Sequence, residues 1–258
     1  EQVAYLPHTR MCFTAPEMDV PVNGLPALSA GHVTFGCFQN YTKVNDAVLM
    51  LWGRIMQALP EARLYWQCKA FNDAGTCEAA LQRLQSFGIA AARCTLAGMT
   101  TREVYLHNHH QVDMILDTFP FTGGTTTCEA LWMGVPTLTL PGDTMIARQG
   151  ASMLHCAGLD DWIADTAEQY VEKAIAFAGD TSALAALRQG LRTQVLQSPL
   201  MQAQQFAADF QHLLFDLWQQ AKTVLQADQY LATAPIQQAF AGQQPVWMIS
   251  ATRMDEAT

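Results

Sequence analysis

At 258 residues, half of them apolar and only 14% charged, the chain is long enough to bury a substantial core in one large domain or two small ones. Its formal charge of −9 argues against a nucleic-acid partner, which needs a basic surface, and no apolar run approaches the roughly eighteen residues of a membrane span. The opening EQVAYLPHTR shows neither the basic nor the apolar part of a secretory leader, and the seven scattered cysteines, without a CxxC, suit small core residues in a reducing compartment; the expectation is a soluble, cytoplasmic protein.

Residues 1–32 are rich in proline and lack periodicity, which predicts a lead-in segment packed on a larger body. Six short apolar runs with strand character follow: VTFGCF (33–38), ARLYWQC (62–68), RCTLAG (93–98), DMILDT (113–118), PTLTLP (136–141) and DWIA (161–164). Helical patterns separate them. Asn45–Leu59 places Val48, Leu51, Trp52, Ile55 and Leu59 on one face, with Asn45 as cap and Pro60 past the end. Thr76–Phe87 does the same with Cys77, Ala80, Leu81, Leu84 and Phe87, and Gly88 supplies the C-terminal left-handed residue. Strand, helix and strand in this rhythm imply parallel strands with right-handed crossovers. The predicted fold is a doubly wound α/β sheet, Rossmann-like, followed by helices over 166–178, 181–197 and 202–226. The predicted organisation is a lead-in (1–32), a ligand-binding lobe (33–200) and a C-terminal helix and tail (201–258).

Ligands of doubly wound sheets sit beyond the carboxyl ends of the strands. There the sequence places TGGTTTCEALWMG, directly after the fourth run. Gly123 and Gly124 allow close approach of an anion, and Thr125, Thr126 and Thr127 bring free amides and hydroxyls to a helix start, where the dipole favours negative charge. Glu129, about a turn further on, suits the two hydroxyls of a ribose, so the combination suggests a nucleoside diphosphate. The same spacing also fits an ordinary capped helix with an exposed Glu. No GxxxxGK[ST] and no GxGxxG follows the first strand, which removes support for a P-loop kinase or an ordinary NAD-dependent dehydrogenase. His107 and His110 of the HNHH run share a helix face, but no further Cys or His stands at a spacing that completes a tetrahedral zinc site. These histidines are expected on an exposed helix flank, and Trp52, Met56, Trp132 and Met133 in the core.

Three stretches, VTFGCFQNYTK (33–43), AGMTTREVYL (97–106) and VDMILDTFPFTGGTTTCEALWMGVPTLTLPGDTMIARQGAS (112–152), resemble the C-terminal lobe of the O-linked N-acetylglucosamine transferase family, over roughly residues 1–220. They look most like its bacterial and plant-type members. The resemblance implies a two-lobed GT-B glycosyltransferase in which this lobe binds a UDP-sugar donor without metal or cofactor. It maps Lys43 onto a diphosphate-binding lysine, Asn40 onto its neighbour, Thr100 onto a position whose backbone reads the base, Arg102 onto a basic residue beside it, and Tyr105 onto a ring that stacks on the base. Gly123, Gly124, Thr125 and Thr126 become the phosphate cradle and Glu129 the ribose acceptor. Relative to the animal enzymes, Tyr105 and Gly124 each replace a His and Glu129 an Asp; Arg148 matches a family arginine of unassigned role. The implied reaction is inverting transfer of N-acetylglucosamine from UDP-N-acetylglucosamine to Ser or Thr of a protein. The acceptor would be held by a preceding lobe and tetratricopeptide repeats outside these residues, so that the chain alone binds nucleotide weakly and transfers no sugar. Donation from GDP-fucose, and a degenerate lobe kept as a binding module, are the alternatives.

Overall fold

The computed structural model describes residues 4–224. The chain divides into two units, Glu1–Asp209 and Phe210–Thr258. Within the described residues the first unit is built on a five-stranded parallel sheet of β1 (Thr34–Cys37), β2 (Arg63–Gln67), β3 (Cys94–Ala97), β4 (Met114–Leu116) and β5 (Thr137–Leu138), in the order β3-β2-β1-β4-β5. The chain therefore winds outward from β1 on one side, then returns to lay β4 on the other. The reversal opens a crevice above the carboxyl ends of β1 and β4, where such sheets bind ligands.

The helices are α1 (Ala27–Ala30), α2 (Asp46–Ala58), α3 (Ala74–Ser86), α4 (Arg102–Asn108), α5 (Thr125–Trp132), α6 (Met145–Cys156), α7 (Ala167–Gly179), α8 (Thr181–Gln197) and α9 (Ala203–Val224). Each predicted helix is present within a few residues of its expected ends, and Asn45 caps α2 by accepting from the Val48 amide at 3.0 Å. Gly88, just past α3, takes a φ of +81° as the sequence required. Alternation along the strands sorts the core into two faces. Phe35, Cys37, Leu64, Trp66, Met114 and Leu116 join the buried stripe of α2 on one side, whereas Tyr65 and Ile115 pack with Leu106 of α4 and Ala130 of α5 on the other. Val48, Leu49, Trp52, Ile55 and Met56 of α2 are all buried, each such side chain stabilising the fold by about 1.5–3 kcal/mol.

The sixth run corrects one expectation. DWIA forms a 3-10 turn at Asp160–Trp162, and only Ile163 makes an isolated parallel bridge to Thr139. The Thr166 side chain already caps α7 and Trp162 is drawn into a stack on Phe177, leaving too few extended residues for a ladder. The lead-in is fastened to the sheet by polar anchors as well as by Val20 and Leu25. Asp113, at the foot of β4, accepts from the Ala27 and Thr34 amides at 2.8 and 2.7 Å. Arg188 of α8, fully buried, donates to the carbonyls of Asn23, Val112 and His109 and to the Asn23 side chain. The predicted tail lies largely outside the described residues.

Candidate functional site

Three chain segments meet above the crevice: Gln39–Lys43 after β1, Gly98–Tyr105 after β3, and Asp117–Glu129 after β4. The last of these sets the geometry. Six helices have their first amides satisfied by a side chain at the cap, from Asn45, Asp73, Thr101, Thr144, Thr166 and Asp180. At α5 the cap is Gly124, which offers only its carbonyl to the amides of Thr127 and Cys128, at 3.0 and 3.2 Å. Among the described residues nothing accepts from the amides of Thr125 and Thr126. Thr125 is exposed and Thr126 half-buried, so both donors face a space that an anion can enter.

Gly123 is a packing requirement. A Cβ there would lie 2.3 Å from Thr127 Oγ1 and 2.5 Å from Gln39 Nε2, whereas at Gly124 it would meet only the Gln149 amide group at 3.6–3.8 Å. The loop is held from below by Asp117, which accepts from the amides of Gly123 (2.8 Å) and Thr118 (2.9 Å) and from Thr139 Oγ1 (2.8 Å). Burial raises the Asp117 carboxyl to about 6; its three hydrogen bonds and the nearby Lys43 ammonium act the other way.

Lys43 reaches the same loop from β1. Its Nζ donates to Gln39 Oε1 at 3.0 Å and to the Thr122 carbonyl at 3.4 Å, and it lies 3.7 Å from the centre of the Phe121 ring. Burial lowers its pKa and Asp117 opposes that shift. Gln39 passes the connection on, donating from Nε2 to Thr126 Oγ1 at 2.6 Å. The structure thus brings Lys43, Gly123, Gly124, Thr125 and Thr126 together. Asn40 lies beside them, exposed, its Oδ1 taken by the amide and hydroxyl of Thr42.

A second cluster forms where the end of β3 meets α5. Glu129 is 4% exposed, which rules out the exposed-Glu alternative for this helix. One carboxylate oxygen accepts from Arg102 and the other from the Tyr105 hydroxyl at 2.7 Å. Burial, with Glu129 beside it, pushes the Tyr105 phenol well above its usual range. The Tyr105 ring is packed edge-on against Phe38 and His109. Thr100 is exposed and its hydroxyl accepts from Gln67 Nε2 at 3.2 Å. Arg148 braces its own loop, donating to the Gly142 carbonyl at 3.0 Å.

Within the histidine run, His107 is exposed as expected and His110 half-buried, whereas His109 points inward. His109 is wholly buried, stacked on Phe38 with centroids 4.0 Å apart, and its Nδ1 donates to the carbonyls of Tyr105 and Leu106. Desolvation lowers its pKa to about 3, so it is a neutral core residue, placed inward because the chain tightens into a 3-10 turn after Asn108. No group of three or more His, Cys, Asp or Glu able to hold a metal is found among the described residues. No helix among them is long and apolar enough to cross a membrane. Sequence reasoning missed Gln39, Asp117 and Gln149. Asp117 did leave a signal, as a carboxylate ending an otherwise apolar strand.

The description of glycosyl transferase family 41 matches residues 22–210. The chain belongs to that family. Among curated relatives, it is 37% identical over 226 residues to the "Probable UDP-N-acetylglucosamine--peptide N-acetylglucosaminyltransferase SPINDLY" of Solanum lycopersicum, covering 84% of this chain and 24% of the relative. Identity to the UDP-N-acetylglucosamine--peptide N-acetylglucosaminyltransferase of Caenorhabditis elegans is 25% over 196 residues, or 76% of this chain and 17% of that one. An O-GlcNAc transferase mutant from Thermobaculum terrenum superposes with a TM-score of 0.77 at 32% identity, over 87% of this chain and 42% of that chain. The fold is therefore that of the C-terminal GT-B lobe of this family, and the chain spans about a quarter of the length of the curated plant relatives.

Proposed function

We propose that this chain is the donor-binding lobe of a glycosyltransferase that moves N-acetylglucosamine from UDP-N-acetylglucosamine to Ser or Thr hydroxyls of a protein. The observation that carries the reading is the uncapped start of α5, with Lys43 hydrogen-bonded to the adjoining loop. Two free amides and a helix dipole suit an anion, and a half-buried lysine adds full charge in a setting poorer in water than the surface. In the reaction, an acceptor hydroxyl attacks the anomeric carbon and gives up its proton to a base outside these residues, the bond to the diphosphate oxygen breaks with inversion, and UDP departs with the electron pair. Charge grows on the departing phosphate, so Lys43 and the Thr125 and Thr126 amides stabilise the transition state more than the ground state. No metal is needed for that role.

The base and ribose fall to the second cluster. Glu129 can accept ribose hydroxyls once Arg102 or Tyr105 yields an oxygen, and the backbone of Thr100, an exposed residue, can pair with the edge of the base. Acceptor contacts would come from a preceding lobe and tetratricopeptide repeats, and without them this chain binds nucleotide weakly and turns over no sugar. Calorimetry with UDP, GDP, ADP and UDP-N-acetylglucosamine tests the reading. UDP should bind more tightly than GDP or ADP, and the sugar nucleotide at least as well as UDP. A preference for GDP would move the donor to a GDP-sugar, and UDP binding unaltered by Lys43→Ala and Glu129→Ala would leave a degenerate binding module instead.

A further inference from the structure

The loop before α5 is approached by two cations, and the sequence motifs account for one. Lys43 donates to the Thr122 carbonyl. The same carbonyl accepts from Gln149 Nε2 of α6 at 2.7 Å, and Gln149 Oε1 in turn accepts from the guanidinium of Arg10 in the lead-in segment. Gln149 is buried, so it acts as a fixed bracket that carries Arg10 to the loop from a distant part of the chain. Its amide group lies 3.6–3.8 Å from where Gly124 would bear a Cβ. Arg10 is thus hydrogen-bonded to the side chain that neighbours the position lacking one at the cap of α5.

The rest of its surroundings leave Arg10 available. It is exposed, and no described carboxylate forms an ion pair with it. Arg102 and Arg148, by contrast, are engaged by Glu129 and by the Gly142 carbonyl. In a chain of net charge −9, a guanidinium with no ion-pair partner among the described residues, linked through Gln149 to the loop before an uncapped helix start, favours an anion locally. A nucleoside diphosphate carries more negative charge than one lysine and one helix terminus offset, and a guanidinium can span two phosphate oxygens.

We infer that Arg10 is a second phosphate-binding residue, moving from Gln149 Oε1 to the oxygens of a diphosphate seated on the Thr125 and Thr126 amides; this rests on the nucleotide-binding reading of the site. The lead-in segment is then part of the donor site, and Gln149 is the residue that positions its cation.

Calorimetry on the full chain, with UDP and uridine as paired probes, tests this. Arg10→Gln removes the charge but keeps a polar side chain beside Gln149. It should weaken UDP roughly tenfold or more while leaving uridine within about twofold of wild type, and Arg10→Lys should fall between. Lys43→Ala and the wild type report separately on the underlying site. UDP affinity unchanged in Arg10→Gln but reduced in Lys43→Ala would overturn the role of Arg10 and spare the site. Equal weakening of UDP and uridine by Arg10→Gln would show that Arg10 only braces the lead-in, which also overturns it. A wild-type chain that binds no UDP would overturn the site and Arg10 together.

Discussion

Replacing Asp117 by Asn should change how stability depends on pH more than it changes the fold. The carboxyl is buried and its pKa rises from 3.8 to about 6, chiefly through desolvation. The native protein therefore holds this proton more tightly than the unfolded chain, so the contribution of Asp117 is fully present below pH 3.8 and is lost as pH rises through about 6. A shift of about two units corresponds to on the order of 3 kcal/mol. Asn is neutral throughout. Its Oδ1 can keep the Gly123 and Thr118 amides, and its Nδ2 can donate to Thr139 Oγ1 after that hydroxyl turns. Urea unfolding followed by tryptophan fluorescence at pH 4 and 7.5, either side of the pI of 5.1, should show Asp117→Asn gaining on wild type by on the order of 3 kcal/mol at the higher pH. A stability difference between the two proteins that stays constant across this range would refute the reasoning. Asp117→Ala, which strands three donors, should lose stability at every pH.

Lys43→Ala should weaken UDP by roughly tenfold or more and barely affect uridine, whereas Glu129→Ala should weaken both, as calorimetry with the two ligands would show. Gly123→Ala forces a Cβ onto Thr127 and Gln39 and should cost about 1–3 kcal/mol in urea unfolding. Gly190→Ala, on an exposed turn of α8 with nothing within 4 Å of the new Cβ, should instead stabilise by about 0.5–1 kcal/mol. Arg188→Leu removes the donors that serve the buried carbonyls of Val112 and His109 and the half-buried one of Asn23, and should cost about 3 kcal/mol or more, with the near-ultraviolet circular dichroism reporting whether the lead-in stays docked.

The helices and the winding of the sheet were legible because they rest on local signals. Asn45, Gly88 and the spacing of Val48, Trp52 and Ile55 each state their role within a few residues. The start of α5 was legible for the same reason, since Gly124 and the threonines lie together in the chain. The supporting contacts were not. Gln149 meets Thr122 across 27 residues and Arg10 meets Gln149 across 139, and no local pattern encodes such meetings. Composition alone does not single out His109 as a core residue, because a neutral imidazole whose Nδ1 is satisfied by two carbonyls can replace an apolar residue there. DWIA reads as a strand from its apolar content, but the cap of α7 claims the residues after it.

The most direct measurement is a crystal structure of the chain soaked with UDP. The account predicts diphosphate oxygens within hydrogen-bond distance of the Thr125 and Thr126 amides, with the Lys43 ammonium against the same group and the ribose at Glu129. A diphosphate bound at any other part of the surface, or a crevice between β1 and β4 that stays empty at saturating UDP, would contradict it.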